Sequence, residues 1–324
     1  MKIDVAFLCP IHKPCFNFGY NLLSSFYNKK LNEQADFYFV FSNQEEADAF
    51  EFDTKKIVMP QTFNLKDNKG IITIKKFYGL SQIKDKYKYV IVLDDESLFY
   101  QKLNILNICE NYFDNKILYG NNILETEYTD NFKNLIIKET ENNFVNYHFS
   151  KLDQCLWFNQ LCIYKTDNID DFFEKINYKE RFDTFKWYEF DYYLYMYYLV
   201  IFHNFKVVSL NSNAIWSFCD NSFDITYEDI GEDYKKYKFN LLSIYMLYKI
   251  GKNINKENLL LIIHTDRLIH LTKDKKDCEK LLIKLYKENK IKIDKNRSNF
   301  IKRMLKFIAI FMPIKKIRKK IRNL

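Results

Sequence analysis

The chain has 324 residues, 48% of them apolar, which is enough for a sizeable core in one large or two small domains and excludes a disordered or fibrous protein. Its net charge of +8 is unevenly spread: nine basic residues (Lys302, Arg303, Lys306, Lys315, Lys316, Arg318, Lys319, Lys320, Arg322) lie in 301–324 with no acidic side chain, and 50 less those nine leaves 41 basic against 42 acidic residues elsewhere. A neutral body with one basic end argues against nucleic acid as a partner and directs attention to an anionic surface met at that end.

Seven cysteines (Cys9, Cys15, Cys109, Cys155, Cys162, Cys219, Cys278) include no C-x-x-C pair, as expected of free thiols in a reducing compartment. The first residues lack the apolar core of a secretory signal, and no run of about 18 apolar residues occurs, so a cytoplasmic location is expected.

Lys2 to Cys9 reads as a buried first strand, which Pro10 breaks into a loop carrying His12 and Lys13. Loops after the first strand of an open α/β sheet face the ligand crevice, so Pro10, His12 and Lys13 are candidate ligand-binding residues. Asn21 to Tyr27 has a helical pattern, and Ala35 to Phe41 is a second, aromatic strand. Glu45 and Glu46 open the helix after it, where acids suit the positive helix start. Ile57 to Met59 is a third short strand. A polar loop over Asn64 to Gly70 leads to ITIKKFYGLSQI, a helix with Ile74, Phe77, Tyr78, Ser81 and Ile83 toward the sheet and the lysine pair Lys75 and Lys76 upon it.

Val90 to Leu93 is a β-branched and aliphatic run of the kind that fills a doubly covered strand, and it stops on Asp94, Asp95 and Glu96. Acids crowded at a strand's carboxyl end repel one another unless a cation, a sugar hydroxyl or a base shares the site. The competing reading is an acidic turn that caps the next helix. Asp94 and Glu96 point the same way if the backbone stays extended, which would let both hold one divalent ion.

Further on, Ile117 to Tyr119 is a strand, Asn121 to Asn146 a polar loop or lid, and Cys155 to Lys165 a buried strand, antiparallel at the sheet edge. In Arg181 to Leu199, Glu189 and Asp191 stand at the start of an aromatic helix beside Trp187 and Tyr188, either as functional acids or as its N-cap. Lys206 to Leu210 is a last strand, followed by Trp216, a sugar-stacking or core residue. His148, His203 and His270 are structural or exposed, and His264 follows the run LLLII. From Tyr234 the chain reads as lysine-rich helices. Residues 300–324 form a basic amphipathic segment, too short and too charged to span a bilayer and suited to lie on an anionic membrane.

Alternating strands and helices predict a largely parallel α/β sheet. In this order, VFSNQEEADAF and KKFYGLSQIKDKYKYVIVLDDE resemble the GT-A nucleotide-sugar glycosyltransferases, bacterial surface-glycan transferases among them, over roughly residues 1–220. The resemblance implies a GT-A-like mixed, mainly parallel sheet flanked by helices in a catalytic domain at 1–233, a helical C-terminal extension at 234–299 and a membrane-associating tail at 300–324. It implies that Asp94 and Glu96 match the D-x-D or D-x-E motif for Mn²⁺ or Mg²⁺, with His264 as a late metal ligand. Pro10, His12, Lys13, Asp94 and Asp95 would line the site of a UDP-linked donor and Lys76 would meet a phosphate. Asp191 is the first choice, and Glu189 the second, for the acid that meets the acceptor hydroxyl. The acceptor would be a lipid-linked or surface glycan at the inner face of the plasma membrane. A phosphoryl-transfer enzyme is disfavoured because the acids lack an accompanying Ser or Thr nucleophile spacing. A non-catalytic membrane or nucleic-acid binder is the remaining rival.

Overall fold

The computed structural model describes residues 3–61, 70–122, 131–147, 154–156, 160–210, 241–250, 262–265 and 274–289. The chain opens with β1 (Val5–Pro10), α1 (Phe16–Asn28), β2 (Ala35–Phe41), α2 (Gln44–Ala49), β3 (Lys55–Val58), α3 (Ile71–Ile83) and β4 (Tyr89–Val92). After a turn come β5 (Ser97–Phe99), α4 (Ile105–Asn115), β6 (Ile117–Asn122), α5 (Asn131–Asn143), β7 (Gln154–Cys155) and β8 (Cys162–Lys165). Then follow α6 (Ile169–Lys175), α7 (Tyr178–Arg181), α8 (Asp191–His203), β9 (Lys206–Leu210), β10 (Leu241–Ser243), α9 (Ile244–Ile250), β11 (Ile262–His264) and α10 (Lys275–Glu288).

The main sheet has the order β3-β2-β1-β4-β8. Its first four strands are parallel, and β8 runs antiparallel to β4 at the edge. The protein is therefore α/β, with a mixed and mostly parallel sheet flanked by helices. Two three-stranded sheets, β10-β11-β5 and β7-β6-β9, stand beside it.

Side-chain alternation along the strands explains the layering. Phe37, Phe39 and Phe41 of β2 join the rings of Phe7, Phe16, Phe26 and Phe50. That is the face of α1, where Gly19 comes so close that an added Cβ would lie 3.3 Å from the Phe39 ring. Leu8 and Val40 point the opposite way, against Gly79 of α3. With both faces covered, β1 is buried at every residue and needs no polar face.

Several sequence expectations require correction. Pro10 does not break the first strand but closes it, paired in register with Val40. The missing N–H does no harm there, because the ladder continues through Ile11 N, 3.0 Å from Val40 O. Asn121 to Asn146 is not a loop throughout, since it contains α5. Among its described side chains Ile136, Ile137 and Thr140 are buried, in a stretch otherwise rich in Asn, Lys and Glu, too weak a pattern to register as amphipathic. Cys155 to Lys165 is two strands in two sheets, and only Cys162–Lys165 forms the antiparallel edge. The region from Tyr234 onward is not wholly helical. It supplies β10 and β11, and β11 pairs antiparallel with β5, so this region completes a sheet begun immediately after the acidic turn.

Candidate functional site

The site follows from the strand order. From β1 the chain moves to β2 through α1 on one face, and it returns from β3 to β4, on the other side of β1, through α3 on the opposite face. The topology reverses between β1 and β4, and the carboxyl ends of two such strands leave a crevice where ligands bind in open α/β sheets. The residues that follow β1 and β4 border it: Ile11 to Cys15, and Asp94 to Glu96.

On the β8 side of this crevice lies a buried ion cluster. Lys76 Nζ is 2.9 Å from Asp94 Oδ1 and 2.9 Å from Asp191 Oδ1, and the Tyr164 hydroxyl donates to Asp191 Oδ2 at 3.3 Å. Burial alone would lower the proton affinity of Lys76, but Asp191 and Asp94 outweigh it and hold the ammonium firmly charged. Asp191, 1% exposed, has its pKa raised by burial and by Asp94, while Lys76 pulls the other way. Lys76, Asp94 and Asp191 line a cleft together with Ser97, Gln160 and Tyr192, about 390 Å³ including its open mouth.

The β1 side carries a second cluster. His12 Nε2 and Cys15 Sγ are 3.5 Å apart, Cys15 is hydrogen-bonded to Asp95, and the ligand atoms of His12, Cys15 and Asp95 all lie within 4.8 Å of one another. Lys75, next to Lys76 but turned about 100° around the helix, donates to Ile11 O at 2.8 Å. Burial lowers the Lys75 pKa to about 8, against the pull of Glu46 and Asp95. Burial and Lys75 also lower the pKa of His12. Glu46 ties the rim together by accepting from Lys13 N and Ser42 N, each at 3.2 Å. The exposed Lys13 side chain reaches Glu45 at 3.7 Å.

The three acids divide between these clusters. β4 ends at Val92, and Asp95 and Glu96 form a turn, so the alternation expected of an extended backbone does not set their directions. Asp94 meets Lys76, whereas the charges of Asp95 and Glu96 act on Cys15. The turn is fixed from behind: Glu96 O accepts from Thr265 N at 2.7 Å and from Thr265 Oγ1 at 2.9 Å, and Tyr286 of α10 is hydrogen-bonded to Thr265 and Asn21. His264 pairs in register with Ser97, which brings its backbone beside the acids. Its side chain lies outside the described residues.

Glu189 is held elsewhere. Its carboxylate accepts from Arg181 Nη2 at 2.5 Å, Asn143 Nδ2 at 2.8 Å and Lys186 N at 2.7 Å, and it is not among the residues lining the cleft. Trp187 is 43% exposed against Phe190 and does not line the cleft either. His203 contacts the Tyr198 hydroxyl, a structural setting. Trp216, His148, His270 and the tail at 300–324 lie outside the described residues.

Sequence reasoning missed Cys15, Lys75, Glu46, Gln160 and Tyr164. For Cys15 a signal existed, since His12-x-x-Cys15 places two metal-type donors three residues apart just after a strand. Lys75 and Lys76 gave no such signal, since adjacent lysines on a helix ordinarily both face solvent, whereas here both are buried.

The sequence matches no protein-family model and no curated protein. Among the described residues no helix is long and apolar enough to cross a membrane.

Proposed function

We propose that the chain is a glycosyltransferase of the GT-A type, moving a sugar from a nucleotide-linked, UDP-type donor to a lipid-linked or surface-glycan acceptor. The observation that carries this reading is the position of Asp94, Asp95 and Glu96 at the carboxyl end of β4, beside the point where the sheet topology reverses. The order β3-β2-β1-β4-β8 with an antiparallel edge strand supports the same reading, as does a second sheet that starts directly after the acids.

Asp94 meets Lys76 and Glu96 acts on Cys15 in this structure, so to hold Mn²⁺ or Mg²⁺ between their hard carboxylate oxygens Glu96 would turn toward Asp94, with donor phosphates as the further ligands. When bound, the ion stabilises the charge that develops on the departing diphosphate. His12 and Lys13 form the nucleotide side of the crevice, and Lys76 brings a fixed ammonium to the phosphate side. In the transfer, the bond from the sugar's anomeric carbon to the phosphate oxygen breaks, the bond to the acceptor oxygen forms, and the acceptor proton passes to Asp191. Burial raises the proton affinity of Asp191, as a general base requires. Glu189, with three partners, anchors the approach to α8 instead.

Residues 300–324 support attachment to the anionic inner face of the plasma membrane from the cytoplasm, at about 1 kcal/mol per basic residue near the surface.

Titration calorimetry with UDP in the presence and absence of Mn²⁺, followed by a donor-hydrolysis screen over nucleotide sugars, tests the proposal. Metal-strengthened binding is expected. Glu96→Gln should lower turnover at least about a hundredfold, the scale of ~2.7 kcal/mol, with an unchanged circular dichroism spectrum. Failure to bind any nucleoside diphosphate, or full turnover by Glu96→Gln at saturating Mn²⁺, would sink it.

A further inference from the structure

We propose that His12, Cys15 and Asp95 form a binding site for a borderline divalent cation of the Zn²⁺ type, separate from the hard-cation site assigned to Asp94 and Glu96. This inference does not depend on sugar transfer and concerns a different class of ion.

Three observations lead to it. The donors are an imidazole, a thiol and a carboxylate, brought within 4.8 Å of one another by two neighbouring parallel strands, His12 and Cys15 following β1 and Asp95 following β4. A mixed nitrogen, sulfur and oxygen set selects Zn²⁺ or Co²⁺ over Mg²⁺ or Ca²⁺, which prefer oxygen alone. The spacing also fits. A sulfur and a nitrogen bound to one tetrahedral Zn²⁺ at ~2.3 and ~2.0 Å lie about 3.5 Å apart, and Cys15 Sγ and His12 Nε2 are separated by 3.5 Å.

The surrounding charges are compatible with an ion. Lys75 is the opposing positive group, and its ammonium is turned onto Ile11 O at 2.8 Å. Glu96, beside Asp95, adds negative charge at Cys15, and Glu46 does so at Lys75 and His12. Binding would displace the thiol proton of Cys15 to solvent and form the metal–sulfur bond, with no change of oxidation state. Three protein donors leave the fourth position of a tetrahedral ion for water or a ligand oxygen.

Co²⁺ is the probe, added to the purified full-length chain under reducing conditions, without nucleotide. The expected result is one Co²⁺ per chain, with a thiolate-to-cobalt charge-transfer band in the near ultraviolet and visible bands of tetrahedral intensity, displaced by one equivalent of Zn²⁺. Cys15→Ser should abolish the charge-transfer band. His12→Gln and Asp95→Asn should each weaken Co²⁺ binding at least about tenfold, the usual scale for an impaired metal site, while Asp94→Asn leaves the band in place. Thermal melts confirm that each variant is folded. A charge-transfer band that survives Cys15→Ser comes from another of the seven cysteines and overturns the proposal, as does the absence of any thiolate band in the wild type. Calorimetry with UDP and Mn²⁺ on the same preparation reports the sugar-transfer reading separately, so the two can fail independently.

Discussion

Lys76 Nζ lies 2.9 Å from Asp191 Oδ1, joining α3 to the first residue of α8 across 115 positions of sequence, with the two residues 4% and 1% exposed. Ions so deeply buried persist only when paired, because desolvation costs each of them several kcal/mol. Asp94 shares the same ammonium. Lys76→Met would leave two carboxylates facing each other and should cost about 3–5 kcal/mol. Asp191→Asn keeps the shape and leaves Lys76 paired with Asp94, so its cost should be smaller. Urea unfolding of both variants near neutral pH checks the order; a larger loss for Asp191→Asn would contradict the shared-cation account.

The network around Glu189 predicts a stability defect without a binding defect. Glu189 accepts hydrogen bonds from α5, α7 and the backbone before α8, and hydrogen bonds to a charged group contribute about 1.5–3 kcal/mol each. Glu189→Ala should destabilise the chain by at least about 2 kcal/mol while UDP affinity in Mn²⁺ stays at the wild-type value. A loss of affinity in a chain that remains folded would return Glu189 to the site.

Gly79 fixes how closely α3 approaches the sheet. A Cβ there would lie 2.7 Å from Val40 Cγ2 and 2.9 Å from both Leu8 Cδ atoms. Gly79→Ala gains up to about 1 kcal/mol of helix propensity but forces overpacking that typically costs about 1–3 kcal/mol, so a net loss is expected. Val40→Ala opens the space, and the double variant should lose less than the sum of the single variants in the same unfolding assay.

Lys75 gives stability a distinct dependence on alkaline pH. Its pKa in the fold is about 8, against about 10.4 for an unfolded lysine. Between those values the unfolded chain holds a proton that the folded chain has released, so the Lys75 contribution to stability increases as pH rises, by up to ~1.4 kcal/mol per pH unit. Burial holds the cysteine thiols and tyrosine hydroxyls of the core protonated in the fold through this range, and their titration in the unfolded chain is common to wild type and Lys75→Met. The difference in unfolding free energy, wild type minus Lys75→Met, should therefore climb from about pH 8 to about pH 10. A flat difference would place the Lys75 ammonium in solvent.

The sequence by itself located most strands of the parallel part of the main sheet, but not β5, β10 or β11, nor the division of Cys155–Lys165 into two strands. Ala35–Phe41 and Lys206–Leu210 are bounded as their residue patterns predict; for Ala35–Phe41 the reason is that a doubly covered strand needs a nearly unbroken apolar run, which is a local property. It also located the acids after β4 and the acid at the start of α8. Tertiary structure alone decided which groups meet. Lys75 and Lys76 are neighbours in sequence, yet one faces Ile11 and the other Asp94 and Asp191, because successive helix residues point about 100° apart and α3 is clamped between β1 and α8. Asp94 and Asp95 separate in the same way, toward Lys76 and toward Cys15, since the strand gives way to a turn between β4 and β5. The backing of that turn by Tyr286 and by Thr265, which lies 169 positions from Glu96, depends on the pairing of β11 with β5. No local pattern encodes such a contact, because closing so long a loop is favoured only once the rest of the core is already assembled.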